Sequence, residues 1–227
     1  TNKTFIKKIE KGSGDMNICM LILIHGNEFA GLQYNNRIMS QINPKEKSTI
    51  KSFPILNPDA FLRNNREHKK YGDINRHFLE KVDSSESVKY LEYLYKNHLS
   101  KADLVIDLHS YSKRDLEPFI LLDQINSSEM SKEKAEQIRN KEINLSEKID
   151  IPIIEDDHRQ RGYISELLVN KSQVPTIRIE LGRDLVTNYE KYNNLSEKIT
   201  KAIEYIQDND EEWNNSEIKD SYEKYYK

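Results

Sequence analysis

What most constrains this chain is an alternation: short runs dense in Ile, Leu and Val, closed by loop chemistry, separate longer stretches whose apolar residues recur at helical spacing. That order of elements predicts an α/β domain. Strands are expected over Asn17 to Ile24, Thr49 to Leu56, Asp103 to Leu108, Pro118 to Leu122, Ile151 to Ile154 and Thr176 to Leu181. Their apolar content is nearly continuous, the pattern of strands covered on both faces, so the expected sheet is mixed, mostly parallel and flanked by helices. Helices are expected over Phe29 to Gln41, Ser87 to Leu99, Ser131 to Lys148, Gly162 to Asn170 and Asn188 to Gln207. Gly12-Ser13-Gly14 and Asn64 to Gly72 carry loop chemistry.

Composition narrows the function classes. With 35 Lys and Arg against 38 Asp and Glu the formal charge is -3, and residues 208 to 227 hold seven acids and three lysines, which leaves the body near +1. Nothing there draws the chain to nucleic acid or to an anionic membrane. The longest apolar run, Ile18 to Ile24, has seven residues, far short of the roughly 20 that span a bilayer. The single cysteine, Cys19, excludes an internal disulfide and lies in that apolar run, where an inert buried thiol is expected. A reducing compartment, the cytoplasm, is the expected location. The division expected is one domain over residues 1 to 207, followed by an acidic, Tyr-rich peripheral helix or tail over 208 to 227.

Three places concentrate chemistry. His25-Gly26-Asn27-Glu28 follows the first long apolar strand directly, so a histidine and a carboxylate three apart emerge at a strand end, with a glycine between them to let the backbone turn. Such a pair can supply two of the three protein ligands of an open zinc site. His109 ends a second apolar strand and can supply the third, with Asp107 two residues back on the same strand face able to support it. Taken alone, His109 is equally a polar strand terminus. Asp73-Ile74-Asn75-Arg76 sets a planar guanidinium beside an amide, a pairing suited to a carboxylate ligand or simply to a surface turn. Glu180 sits in the apolar strand Thr176 to Leu181, where an unpaired acid is costly. It needs a metal, a cation such as Arg178, or a catalytic role.

In this order and spacing the motifs resemble the succinylglutamate desuccinylase and aspartoacylase family, within the zinc carboxypeptidase superfamily. The matching pieces are HGNE at His25 to Glu28, NPDAFLRNNR at Asn57 to Arg66, DINR at Asp73 to Arg76, DLH at Asp107 to His109 and IELG at Ile179 to Gly182. Asn75 lies 47 residues after Glu28 and Glu180 lies 152 after it, and the likeness extends over roughly residues 15 to 205. The resemblance implies a zinc carboxypeptidase-like fold with one Zn²⁺ held by His25, Glu28 and His109, water completing the set. It implies Glu180 as general base and Arg66 as the group that stabilises the oxyanion, with Arg63 competing for that role. It further implies Asp73 as the acceptor that orients His25, and Asn75 with Arg76 as the grip on a substrate carboxylate.

The segment Arg159 to Asn170 departs from the family pattern, in which a Tyr and an Arg grip an acidic side chain. Arg161 and Tyr163, with Arg159, are the nearest candidates. Family members commonly carry a β-rich C-terminal domain as well, and the sequence stops after the catalytic portion, as a fragment or a minimal member does. The activity implied is hydrolysis of an amide bond, releasing the acyl group of a small N-acyl amino acid or similar amine that bears a carboxylate. A carboxypeptidase acting on peptides or cell-wall fragments is the alternative that keeps the same site. A zinc-stabilised interaction module without turnover is a third reading, but a closed structural site usually takes four protein ligands and needs no extra buried acid.

Overall fold

The computed structural model describes residues 7–76, 86–111, 116–126, 128–156, 162–183 and 188–214. Among these residues seven strands form one sheet: β1 (Ile9–Gly12), β2 (Met16–Ile22), β3 (Ser48–Phe53), β4 (Leu104–Tyr111), β5 (Phe119–Asp123), β6 (Ile153–Asp156) and β7 (Thr176–Arg183). Their spatial order is β1-β3-β2-β4-β7-β5-β6. The β2/β3, β2/β4, β4/β7 and β5/β6 pairings are parallel, whereas β1/β3 and β5/β7 are antiparallel, so the sheet is mixed and mostly parallel as the apolar runs predict.

Helices cover both faces, and β2 shows why its sequence is apolar throughout. Ile18, Met20 and Ile22 join a core with α1 (Phe29–Gln41), α4 (Lys132–Ile149) and α6 (Tyr189–Asp208). Cys19 and Leu21 face the opposite way, into a smaller core with α3 (Glu86–Asn97) and the short α5 (Ile164–Leu167). Period-two alternation disappears when both sides of a strand are buried. Burial pushes the Cys19 thiol up to about 12, the inert state expected of it. Two further short helices are α2 (Pro58–Leu62), opened by an Asn57 cap, and α7 (Asp210–Asn214). Among the described residues no helix is long and apolar enough to cross a membrane.

Some element boundaries differ from the sequence expectation. β1 is an additional edge strand, four residues with alternating burial, too short to stand out against its polar surroundings. β2 stops at Ile22 because Leu23 adopts a left-handed φ of 54°, which is rare for a bulky side chain and turns the chain towards His25. The helix expected over 162 to 170 is a single α turn, α5, running into a π-helical turn at Leu168–Ser172. Of the acidic C-terminal segment, residues 215–227 lie outside the described residues.

Two buried arginines tie the β7-β5-β6 edge together. Arg178 on β7 donates to Asp123 Oδ1 (3.3 Å) at the end of β5 and to Asp156 Oδ2 (3.0 Å) at the end of β6. Arg139 on α4 donates to the Asp123 carbonyl (2.6 Å) and to Glu142 Oε2 (2.8 Å), and pairs with Glu155 Oε1 (3.1 Å). Glu142 also accepts from the Thr176 N–H at the start of β7 (3.1 Å). Burial pushes the Glu142 carboxyl from an ordinary 4.5 up to about 7, against the pull of Arg139 and that N–H. Because the folded chain holds this proton more tightly than the unfolded one, its stabilising contribution is complete below about pH 4.5 and is lost as pH rises through 7. Glu142→Gln, neutral at every pH, should remove that decline, which is on the order of 3 kcal/mol for a shift of this size. Urea midpoints of both proteins from pH 5 to 8 check it, and parallel curves would assign the wild-type decline to other groups.

Candidate active site

The site forms where β2 and β4, neighbours in the sheet, release their C-terminal ends. His25 follows the Leu23 turn, and Asn57 holds that turn by donating its backbone N–H to the Leu23 carbonyl (3.0 Å) and its side-chain amide to the Ile24 carbonyl (3.2 Å). Gly26 is required by proximity: a Cβ there would stand 2.2 Å from the Ala60 carbonyl carbon. Glu28 immediately precedes α1, and its side chain turns back to the strand ends.

His25, Glu28 and His109 are each at least 96% buried, and one donor atom from each lies within 4.8 Å of the other two. His25 Nδ1 is 2.8 Å from Glu28 Oε1, and His109 Nδ1 is 3.0 Å from Glu28 Oε2. Each imidazole is fixed from behind: His25 Nε2 meets Asp73 Oδ1 at 3.0 Å, and His109 Nε2 meets Asp107 Oδ2 at 3.0 Å. A carboxylate behind each ring fixes the ring orientation and raises the basicity of the inward nitrogen. Two imidazoles and a carboxylate turned inward, each ring backed by an acid, are a donor set that fits Zn²⁺.

The electrostatics favour positive charge at this point. Burial opposes ionisation of Glu28, but the His109 and His25 rings outweigh it and hold the carboxyl well below the usual carboxylate range. Burial likewise opposes charge on His109, yet Asp107 and Glu28 raise its proton affinity well above the ordinary value. Burial also works against the Asp73 carboxylate and is overcome by His25, Arg76 and Arg66.

Glu180 lies on β7 directly opposite His109 on β4 and is 7% exposed. Among the described residues no hydrogen bond or ion pair engages its carboxylate, because Arg178, its one-strand neighbour, is committed to Asp123 and Asp156. Burial pushes the Glu180 carboxyl upwards and the nearby Glu28 charge adds to that, with His109 and Arg178 opposing. Arg66 reaches the cluster, donating to Glu28 Oε1 (3.0 Å) and Asp73 Oδ2 (3.2 Å). Arg63 does not, since it is tied to Asp59 and to the Glu67 carbonyl.

Asp73, Asn75 and Arg76 sit at the edge of the same cluster. Arg76 Nη1 is 3.5 Å from Asp73 Oδ2, and the guanidinium stacks on the Tyr163 ring with Cζ 4.3 Å from its centroid. Asn75 is 1% exposed and its Oδ1 accepts from the Ile164 N–H (3.0 Å), which leaves the amide NH₂ as the group it can offer a ligand. Tyr163 is 5% exposed. Arg161 and Arg159 lie outside the described residues.

Some members of this assembly left no sequence signal. The Ser110 N–H donates to Glu28 Oε2 (3.1 Å), a backbone contact that residue types cannot announce. Asp123 and Asp156 look in the sequence like ordinary polar strand ends. Only their charge at the close of apolar runs could have drawn notice.

A mixed sheet of this order between helices, with a buried His/Glu/His set at adjacent strand ends, defines a carboxypeptidase-like α/β fold. The catalytic-domain model of succinylglutamate desuccinylase and aspartoacylase matches residues 19–206, and the chain belongs to that family. Among solved structures, an aspartoacylase family protein from Mesorhizobium loti shares 21% identity at a TM-score of 0.68, covering 87% of this chain and 60% of its own. A succinylglutamate desuccinylase/aspartoacylase from Rhodobacter sphaeroides shares 19% identity at 0.69, covering 88% and 58%. A metallo-carboxypeptidase from Burkholderia cenocepacia shares 14% identity at 0.65, covering 88% and 60%. The chain thus spans about three fifths of the length of these structures, and what they share with it at this identity is the fold. No curated protein sequence matches it.

Proposed function

We propose that this chain is a zinc-dependent amide hydrolase that removes the acyl group from a small N-acyl amino acid or similar amine. The observation that carries this reading is the inward-turned His25, Glu28 and His109 set, with a buried acid, Glu180, on the adjoining strand that no hydrogen bond or ion pair engages among the described residues. In this reading residues 1 to 207 are the hydrolase unit and 208 to 227 an appended acidic segment.

His25 Nδ1, a Glu28 oxygen and His109 Nδ1 would hold the metal. Bound there, zinc supplies Lewis acidity, which brings a water's pKa towards 7 and polarises a carbonyl. Glu180 takes a proton from the attacking water and delivers it to the departing amine, a role suited to a carboxylate whose affinity for protons burial has raised. Arg66, whose side chain is 42% exposed and, among the described residues, paired with Glu28 and Asp73, can turn its guanidinium to the developing oxyanion. Asp73 and Asp107 keep the histidine rings in place. Arg76, with the Asn75 amide beside it, holds a substrate carboxylate near the scissile bond.

The test is a turnover panel on the zinc-loaded chain: N-acetyl, N-succinyl and N-formyl amino acids, their methyl esters, and blocked dipeptides. The expected result is release of free acid from at least one N-acyl amino acid, with its methyl ester cleaved at least tenfold less efficiently in kcat/KM. Preference for the blocked dipeptides would make the chain a carboxypeptidase. No turnover of any member would favour the non-catalytic module.

A further inference from the structure

Arg178 has no part in the chemistry above, yet it is a firmly anchored buried cation. It is 4% exposed, bound to Asp123 and Asp156 at the ends of β5 and β6, and also stacked on Tyr163 with Cζ 4.5 Å from the ring centroid. The same ring carries the Arg76 guanidinium at 4.3 Å. One buried aromatic ring is therefore shared by two guanidinium groups, one locked into the sheet and the other at the site edge.

Arg76 needs such a support. Its side chain is 36% exposed, its 3.5 Å approach to Asp73 is longer than a good N–H···O bond, and its remaining polar contact among the described residues is the carbonyl of Asn75. The stack on Tyr163 is the contact that fixes its plane, and planarity is what a guanidinium offers a carboxylate. The backbone is built to bring the two together. Gly162 has a φ of 71°, and a Cβ on it would stand 2.2 Å from the Arg76 carbonyl oxygen, while the Ile164 N–H closes on Asn75 Oδ1 at 3.0 Å.

We propose that Arg178 and Tyr163 are positioning residues that together set the Arg76 guanidinium for a carboxylate ligand without touching that ligand themselves. Tyr163 is then a platform beneath the anchor, not a hydroxyl offered to substrate. The inference rests on the carboxylate-anchor role given to Arg76 under the proposed function, and one of its measurements is independent of turnover.

That measurement is the side-chain ¹⁵Nε–Hε signal of Arg76 in the full chain, assigned through loss in Arg76→Lys and titrated with N-acetylglycine. The ring should shift this signal upfield in the wild type. Tyr163→Leu should abolish the shift and weaken N-acetylglycine binding about tenfold, and Tyr163→Phe, which keeps the ring, should restore both. Arg178→Met should move the Arg76 signal and weaken binding by a similar factor although it lies outside the ligand contact. Kinetically, KM for an N-acyl amino acid should rise about tenfold in Tyr163→Leu with kcat changed less than threefold, and KM for its methyl ester should not follow. An Arg76 signal and an N-acetylglycine affinity unchanged in Tyr163→Leu would overturn the proposal. So would equal losses for acid and ester, which indicate general disruption. Should Arg178→Met fail to fold with two acids left unpaired, Tyr163→Leu against Tyr163→Phe carries the decision. If the wild type hydrolyses nothing, the proposed function fails while the signal and the binding titration still decide the positioning role.

Discussion

His25→Ala, Glu28→Ala and His109→Ala are each expected to lower bound zinc from one per chain to under a tenth, and amide hydrolysis with it. The reason is the small number of donors. An open site has three protein ligands, and each of these supplies a single inward atom within 4.8 Å of the others. Losing one leaves two donors in a pocket that still holds the charges of Asp73 and Asp107 behind it. Asp107→Asn and Asp73→Asn keep all three ligands but weaken the fixing of a ring, so zinc affinity should fall by the smaller factor of roughly 10 to 100 typical of such supporting groups. The ordering of the two sets is itself diagnostic: a buried ion-pair cluster with no metal role would show no zinc in the wild type and no ordering. Elemental analysis of the dialysed proteins, with zinc titration against a competing chelator, gives both quantities. Full zinc content in all three alanine variants would rule out the ligand set.

The strand-end chemistry was legible because it adjoins nearly continuous apolar runs. Ile18 to Ile24 could only be a buried strand, so the residues just after it, His25 and Glu28, were bound to surface at a sheet end. His109 follows a similar run, Leu104 to Leu108, although β4 continues past it to Tyr111. That β2 and β4 are neighbours, which brings the His25 and His109 rings to 5.1 Å between centroids, is not encoded in either run. It came from the order of five motifs resembling those of one family. Part of what stayed hidden depended on sheet order. Asp123 and Asp156 belong to β5 and β6, yet they serve Arg178 on β7, because the chain places β7 beside β5 in antiparallel sense. No local pattern around Arg178 distinguishes that arrangement from the Arg178 to Glu180 pair that same-face spacing suggests. Leu23 was equally opaque: an apolar residue in an apolar run gives no hint of a left-handed turn, which Asn57 enforces from more than thirty positions away.

Glu180→Gln is expected to lower kcat by about 10² to 10⁴, the range typical of a positioned general base, while zinc content stays at the wild-type level. The separation of the two readouts follows from placement. Glu180 faces His109 across the β4/β7 ladder, close enough for His109 to favour its ionised form, but it is not among the three clustered donors. Glutamine keeps the shape and the polarity of the side chain and removes only the capacity to accept and return a proton. The substitution should not destabilise the fold, because among the described residues no ion pair depends on this carboxylate, and an uncharged amide avoids the cost of burying a charge there. Unchanged KM would place the loss in the chemical step. Wild-type turnover in Glu180→Gln would make Glu180 a buried acid tolerated for structural reasons and move the search for the base elsewhere in the site. A matching loss of zinc would instead make it a fourth ligand, which would close the open position that the hydrolase reading requires.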